Sequence, residues 1–479
     1  MSGTTSGNDP REVGHAPQPV LDPALLGEFL SRQRWFSGKG RQWQVTGSST
    51  MAVLQPADPQ VRIDLVRVEY ATGEVEVYQL PLVVHREPVD SLAHVLVSEE
   101  PAPGGEGRLW VYDALHDKEV TGLWLEGLAE ARATDDLVFH PAPSGGAVPT
   151  DARSIVIGAE QSNTSLIFGD VAILKVFRRV APGLNPDIEI HEALASAGSA
   201  HVAEPLGWLE GRWRADGLQL DGSLAMLQEF LRNGTEGWEM AKASVRDLYA
   251  EGDLHAEEVG GDFAGEAARL GAATAEVHAD LARTLDTGVL EVEQLAGMAE
   301  AMRARLDRAV SEVPALEPYS DALSDTFGRL AGLEEPVAVQ RVHGDYHLGQ
   351  VMRTIDGWKL LDFEGEPAKS LDERRALDTP LKDVAGMLRS FDYAARHLLV
   401  DRPGAAQLEY RAAEWAERNR DAFCEGYGTV SGRDPRESDV LLRALETDKA
   451  VYEVVYEARN RPSWLRIPMS AIERLATAS

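Results

Sequence analysis

The chain has almost no cysteine. Cys424 is the only one in 479 residues, which excludes intrachain disulfides and thiolate metal clusters and points to a reducing compartment. Long apolar runs are missing as well. Nothing approaches the roughly 20 consecutive apolar residues that span a bilayer, and the opening stretch MSGTTSGNDPREVGHAPQPV lacks the apolar core of a secretion signal. Residues 1–20 are therefore expected to form a disordered tail, and the protein is expected to be cytoplasmic with no membrane partner. Positive charge is scarce. Lys and Arg number 47 against 78 Asp and Glu, and a net charge of −31 repels polyanions, which argues against nucleic acid as the main partner. Internal repeats of solenoid length and a Gly-x-Gly-x-x-Gly phosphate loop are also absent.

What is present is an ordinary globular composition, 44% hydrophobic and 26% charged, in a chain too long for one compact core. HPAPSGGAVPTD at 140–151 has the composition of a domain joint. Before it, RIDLVRVEY, EVEVYQLPLVVHRE and RLWVYDAL alternate apolar and polar residues and predict strands. DPALLGEFLSRQRWF predicts a first helix capped by Asp22. After the joint, ARSIVIGAEQSNTSLIFGDVAILKVFRRV predicts three strands, the first two joined by the polar turn AEQSNTS and the last carrying Lys175. NPDIEIHEALASA should be a helix and SLAMLQEFLRNG a strand. Beyond about residue 235 apolar residues recur at helical spacing. The expected parts are a β-rich 21–139, a β-rich 140–234 and a helical 235–479.

One stretch concentrates chemistry. RVHGDYHLGQVMRTIDGWKLLDFEGEP, residues 341–367, holds His343, Asp345, His347, Asp356, Asp362, Glu364 and Glu366. HGDYHLGQ fits the His-x-Asp-x-x-x-x-Asn catalytic loop of protein kinases with Gln350 in the Asn position, and LLDFEG resembles the metal-binding Asp-Phe-Gly. Phosphoryl transfer needs a carboxylate to orient the acceptor hydroxyl and oxygen ligands that hold Mg²⁺ against the phosphates. Asp345 suits the first task; Gln350, Asp362 and Glu364 suit the second. Lys175 corresponds to the strand lysine that contacts nucleotide phosphates, with Glu189 its expected helix partner and Glu192 the alternative. Ser162, Asn163, Thr164 and Ser165 could meet the phosphates, and the backbone of Gln228, Glu229, Phe230 and Leu231 could form a hinge against the adenine. Near the carboxy terminus Asp448, Tyr452, Tyr456 and Arg459 recur at near-helical spacing beside Trp464. Flat apolar faces flanked by polar groups suit a sugar, so Tyr456, Arg459 and Trp464 are candidate sugar contacts, with Asp345 and His347 at the reacting end.

QRWFSGKGR, EQSNTS, HGDYHLGQV, DFEGEP, LKDVAGMLRSFDYAA, RNRDAFCEGY and YEARNRPSWLRIP together resemble the maltokinases, within the aminoglycoside-phosphotransferase-like kinases. The resemblance runs from about residue 29 to 468. It implies an α+β, bilobal protein-kinase-like fold, with a cap subdomain on an intermediate β-rich subdomain and a mainly helical C-lobe. It also implies ATP and Mg²⁺ as cofactors, maltose as the small-molecule sugar, maltose 1-phosphate as product, a place in α-glucan synthesis from trehalose, and association with a trehalose synthase or another enzyme of that route.

Plainer readings compete. His343 is expected to hold the catalytic loop rather than carry a proton, and Gly344 argues against the helix that a His-x-x-x-His zinc site needs. The Tyr and Arg stripe could be helix packing with surface ion pairs. Glu366, Arg374 and Arg375 are expected to order a loop by ion pairing, and Cys424 to be buried and inert. Two rival functions remain, a non-catalytic nucleotide-binding scaffold and a kinase for an amino sugar such as glucosamine, which would need an acidic pocket for the ammonium.

Overall fold

The computed structural model describes residues 21–102, 107–143, 145–157, 162–215, 217–251, 254–366, 369–400 and 406–477; the expected tail lies outside them. The chain forms two compact units, residues 1–183 with 206–230, and residues 184–205 with 231–479.

The first unit holds helix α1 (Pro23–Arg32), strands β1 (Trp43–Gln55), β2 (Gln60–Tyr70), β3 (Val75–His85), β4 (Leu96–Pro101) and β5 (Arg108–Asp113), helix α2 (Gly122–Ala129), and strands β6 (Leu137–Pro141), β7 (Ser154–Ile157), β8 (Asn163–Phe168), β9 (Ala172–Phe177) and β10 (Arg179–Val180). After helix α3 (Pro186–Ala197), which belongs to the second unit, strands β11 (Pro205–Ala215) and β12 (Leu218–Glu229) complete it. Asp22 caps α1 as expected, its carboxylate accepting from Ala24 N at 2.7 Å. Leu26, Phe29 and Leu30, one helical face, pack on Val66, Val68, Tyr78 and Leu80 of the first sheet, ordered β1-β2-β3-β5-β4 with β10 beside β3. The alternation of β2 sends Val61, Ile63 and Leu65 to the other face, in one core with Leu166, Leu174 and Leu209 of the second sheet, ordered β6-β11-β12-β9-β8-β7. The joint expected at 140 therefore begins within β6, and both sheets belong to one unit.

The second unit adds β13 (Thr235–Glu236), α4 (Gly237–Ala250), α5 (Ala264–Thr284), β14 (Thr287–Leu290), α6 (Val292–Glu312), α7 (Ser320–Ala331), β15 (Val337–Gln340), β16 (Val351–Thr354), β17 (Gly357–Leu360), α8 (Leu371–Arg375), α9 (Leu381–Arg396), α10 (Ala406–Ser431), α11 (Asp439–Asn460) and α12 (Arg466–Thr477). Its core runs from Leu194 of α3 through Phe391 and Trp415 to Val454 of α11. Among the described residues no helix is long and apolar enough to cross a membrane.

Helices α5 and α10 meet backbone to backbone. A Cβ on Gly426 would lie 1.9 Å from Ala268 O, and one on Gly271 2.0 Å from Phe423 O. Gly426→Ala is expected to destabilise the unit by about 1–3 kcal/mol, since carbonyl groups on two packed helices cannot step aside. Urea unfolding would show this as a lower midpoint at unchanged slope; a wild-type midpoint would contradict it. Cys424, beside this contact, is buried, and burial pushes its thiol up to about 12, so it is inert at neutral pH.

Candidate active site

The loop 343–350, expected to be catalytic, follows β15 and is held from behind. Asp383, in the first turn of α9, accepts from His343 N at 2.8 Å and Gly344 N at 2.9 Å, and His278 Nε2 lies 3.1 Å from the same carboxylate. Burial pushes Asp383 up, but His278, His343 and the Gly344 amide outweigh it and leave the carboxyl below its ordinary value. Gly344 has φ +84°, a left-handed turn that suits glycine and rules out the helix a zinc His pair would need. His343 donates from Nε2 to Leu361 O at 2.8 Å, and its ring lies 4.9 Å from that of Phe363, so it ties the loop to the next acidic segment. That is the holding role expected of it.

Asp345 projects from this fixed turn, with 28% of its side chain exposed. Burial would raise its pKa, yet Lys449 Nζ, 3.5 Å away on α11, together with His347 and His343, holds it below the usual carboxylate value. His347 accepts from Gly349 N through Nδ1 at 3.0 Å, and burial lowers its pKa, so a neutral imidazole stands beside a charged carboxylate.

The acidic segment after β17 turns sharply. Asp362 sits at φ +61°, a conformation few non-glycine residues adopt and that costs on the order of 1–3 kcal/mol. Phe363 N donates to Asp187 Oδ1 at 2.9 Å, which draws Asp187 from the first turn of α3 to this segment. Carboxylate oxygens of Asp187, Asp362 and Glu364 all lie within 4.8 Å of one another. Gln350 donates from Nε2 to Asp362 Oδ2 at 3.0 Å, so its amide nitrogen faces the cluster. The acidic cluster that could hold a cation thus includes Asp187 beside the expected Asp362 and Glu364, with the expected Gln350 hydrogen-bonded to Asp362 at its edge.

The maltokinase N-terminal cap domain family matches residues 29–117. A glucosamine kinase of Streptacidiphilus jiangxiensis is 31% identical over 354 residues, 71% of this chain and 77% of that protein. The chain belongs to the maltokinase-like sugar kinases. A second glucosamine kinase, from Mycolicibacterium smegmatis (strain ATCC 700084 / mc(2)155), is 28% identical over 342 residues, 67% of this chain and 78% of that one. Solved glucosamine kinase structures share the fold at 24% identity. One, in complex with glucosamine, ADP and inorganic phosphate, superposes with TM-score 0.67 over 94% of this chain and 98% of its own. Another crystal form gives 0.69 over 95% and 97%. The expected α+β kinase-like fold is borne out, and the chain is a phosphotransferase with an alcohol group as acceptor.

Beside the loop of this sugar kinase lies a cavity of about 280 Å³, lined by Gly344, Tyr346 and Tyr452 and by charged groups. Each of the acids that line it has a cationic partner. Asp448 takes Arg305 in two hydrogen bonds of 2.9 and 2.8 Å, Asp378 takes Lys382 at 2.6 Å, and Glu366 takes Lys369 at 3.2 Å. The fourth lining cation, Lys449, faces Asp345.

The other expected residues are placed as follows. Tyr456 is exposed and stacks on Tyr452 at 6.3 Å between ring centroids, and Trp464 lies under Arg461 at 4.6 Å. Arg459 turns away to an exposed ion pair with Glu312, the surface role of the plainer reading. Glu189 gives one oxygen to Arg375 at 2.8 Å and the other to Arg341; burial raises its pKa, but these arginines outweigh it and lower it overall. Glu192, the alternative, has its Oε1 buried without a hydrogen bond among the described residues, and burial raises its pKa.

In the first unit Lys175 sits on β9, facing Ser165 of β8 and Met226 of β12, with Nζ 5.9 Å from the Phe177 ring. Asn163, Thr164 and Ser165, expected in a loop, are buried in β8; Thr164 Oγ1 accepts from Arg178 Nε at 2.8 Å, so Ser162 alone of the four stands exposed at the bend. Ala159, Glu160 and Gln161, which open that turn, lie outside the described residues. In the expected hinge, Gln228 and Glu229 end β12 opposite Ile173 and Ala172, Phe230 N donates to Val171 O at 2.8 Å, and Leu231 opens the second unit.

Sequence reasoning gave no role to Asp187, Asp383, His278 or Lys449. Asp383 stands in a stretch that carries the family resemblance, and Lys449 precedes Tyr452 by one helical turn, the one local signal available for it.

Proposed function

We propose that this kinase transfers the γ-phosphoryl group of ATP to the anomeric hydroxyl of maltose, giving maltose 1-phosphate, in the cytoplasm and on the route from trehalose to α-glucan, where a trehalose synthase is the fitting partner enzyme. The observation that carries the choice of sugar is the cavity beside Asp345. Each acid lining it is already matched by a cation, which suits an uncharged sugar and offers no spare carboxylate to an ammonium. The maltokinase cap match supports the same choice. The names of the curated relatives favour glucosamine as the second reading.

In this reading Asp345 orients the acceptor hydroxyl and takes its proton, while His347, Tyr456 and Trp464 contact the sugar. Lys175, with Glu189 or Glu192 as its partner, positions the phosphates, Ser162 at the bend before β8 meets them, and the backbone of Gln228 to Leu231 meets the adenine. Asp187, Asp362 and Glu364 are an all-oxygen donor set of the kind Mg²⁺ takes. When bound there, the ion would neutralise phosphate charge.

Maltose, glucosamine and glucose should be compared as acceptors at saturating ATP. Maltose is expected to give the highest kcat/KM, by about tenfold or more. Preference for glucosamine would overturn the choice of sugar, and nucleotide binding with no turnover on any sugar would favour the scaffold.

A further inference from the structure

Lys449 belongs to none of the kinase elements found in the sequence, yet it stands beside the residue that receives the acceptor. It rises from α11, places Nζ 3.5 Å from Asp345 Oδ1, and lies 5.3 Å from the Tyr452 ring centroid. Burial disfavours its charge, but Asp345, Glu366 and Glu453 outweigh burial and keep the ammonium protonated.

We infer that Lys449 determines acceptor charge: its ammonium holds the cation position next to Asp345, so the cavity admits an uncharged sugar and rejects one that carries an ammonium. The inference rests on the sugar-kinase reading above and deepens it. A sugar hydroxyl delivered to Asp345 brings the rest of its ring within a few ångströms of Nζ. An amino substituent there meets like charge, and the remaining lining acids are committed to Arg305, Lys369 and Lys382. Hydroxyl groups can instead accept hydrogen bonds from the same ammonium, so Lys449 attracts one class of sugar and repels the other.

The test uses the full chain with Lys449→Gln, Lys449→Glu and Lys449→Arg, measuring kcat and KM for maltose and for glucosamine at saturating ATP, with thermal unfolding to establish that each variant is folded. Arg, which keeps the charge, should keep the preference. Gln should lower the maltose-to-glucosamine ratio of kcat/KM about tenfold and Glu by on the order of 10², mainly through KM. If Lys449→Glu does not fold, Lys449→Gln decides the matter alone. A ratio unchanged within about twofold in folded Lys449→Gln would overturn the inference, as would a wild-type enzyme that prefers glucosamine with Lys449 in place. A wild-type chain inert on every sugar would instead remove the sugar-kinase reading on which it rests.

Discussion

Asp345→Asn is expected to lower turnover by on the order of 10²–10⁴ while nucleotide affinity stays within about twofold. The substitution keeps the shape of the side chain and removes only its ability to accept a proton. The backbone that presents it is fixed independently, by the hydrogen bonds of His343 N and Gly344 N to Asp383. The geometry of the turn should therefore survive, so that lost rate reports chemistry. The low pKa of Asp345 also fixes the pH behaviour. Lys449 and the two histidines outweigh burial and favour the carboxylate in the folded state, so the group is charged throughout the range above its ordinary pKa near 4, and the rate should not fall with its titration between about pH 5 and 8. Steady-state kinetics across that range, with ATP affinity measured separately by calorimetry, would check both points. A variant retaining most of its turnover would remove Asp345 from the proton-accepting role.

Local chemistry made much of this protein legible from its sequence. Asp22 before Pro23 announces a helix start, the period-two alternation of β2 announces a strand with two buried faces, and the candidate loop 343–350 stands out because its residues lie within eight positions of one another. Residues that act across the fold were hidden. Asp187 reaches the acidic segment through Phe363, 176 positions away, and Asp383 reaches the loop through His343, 40 positions away, with no spacing rule to mark either. The arginines that engage Glu189, Arg341 and Arg375, are likewise distant in sequence, 152 and 186 positions away. Asn163, Thr164 and Ser165 look like loop residues by composition, but pairing with β9 makes them strand, a case of tertiary context overriding propensity.

The largest effect on stability is expected at a group with no part in the chemistry. Asp392 on α9 is buried and meets Arg389 at 2.6 Å, Arg474 at 2.9 Å and Arg396 at 3.2 Å, with Arg420 at 3.7 Å. Glu446 on α11 takes Arg420 at 2.7 Å and Arg474 at 2.6 Å, and Glu453 takes Arg389 at 2.7 Å. The network thus joins α9, α10, α11 and α12. Asp392→Ala would leave Arg389, itself almost fully buried, and its neighbours short of one counter-charge, and breaking a buried ion pair from one side costs about 3–5 kcal/mol. The sign of the pH dependence follows from the same contacts. Burial raises the pKa of Asp392 and Glu446, but the arginines outweigh it, leaving Asp392 well below its ordinary value and Glu446 at about 2. Groups depressed on folding contribute stability above their unfolded pKa near 4 and lose it as pH falls toward their folded values. Wild-type stability should therefore drop between about pH 4 and 2, and Asp392→Ala should be less stable at neutral pH with a shallower acid dependence. Urea midpoints at pH 7 and in that acid range for the two proteins would measure this, and equal midpoints at pH 7 would show that the network adds nothing.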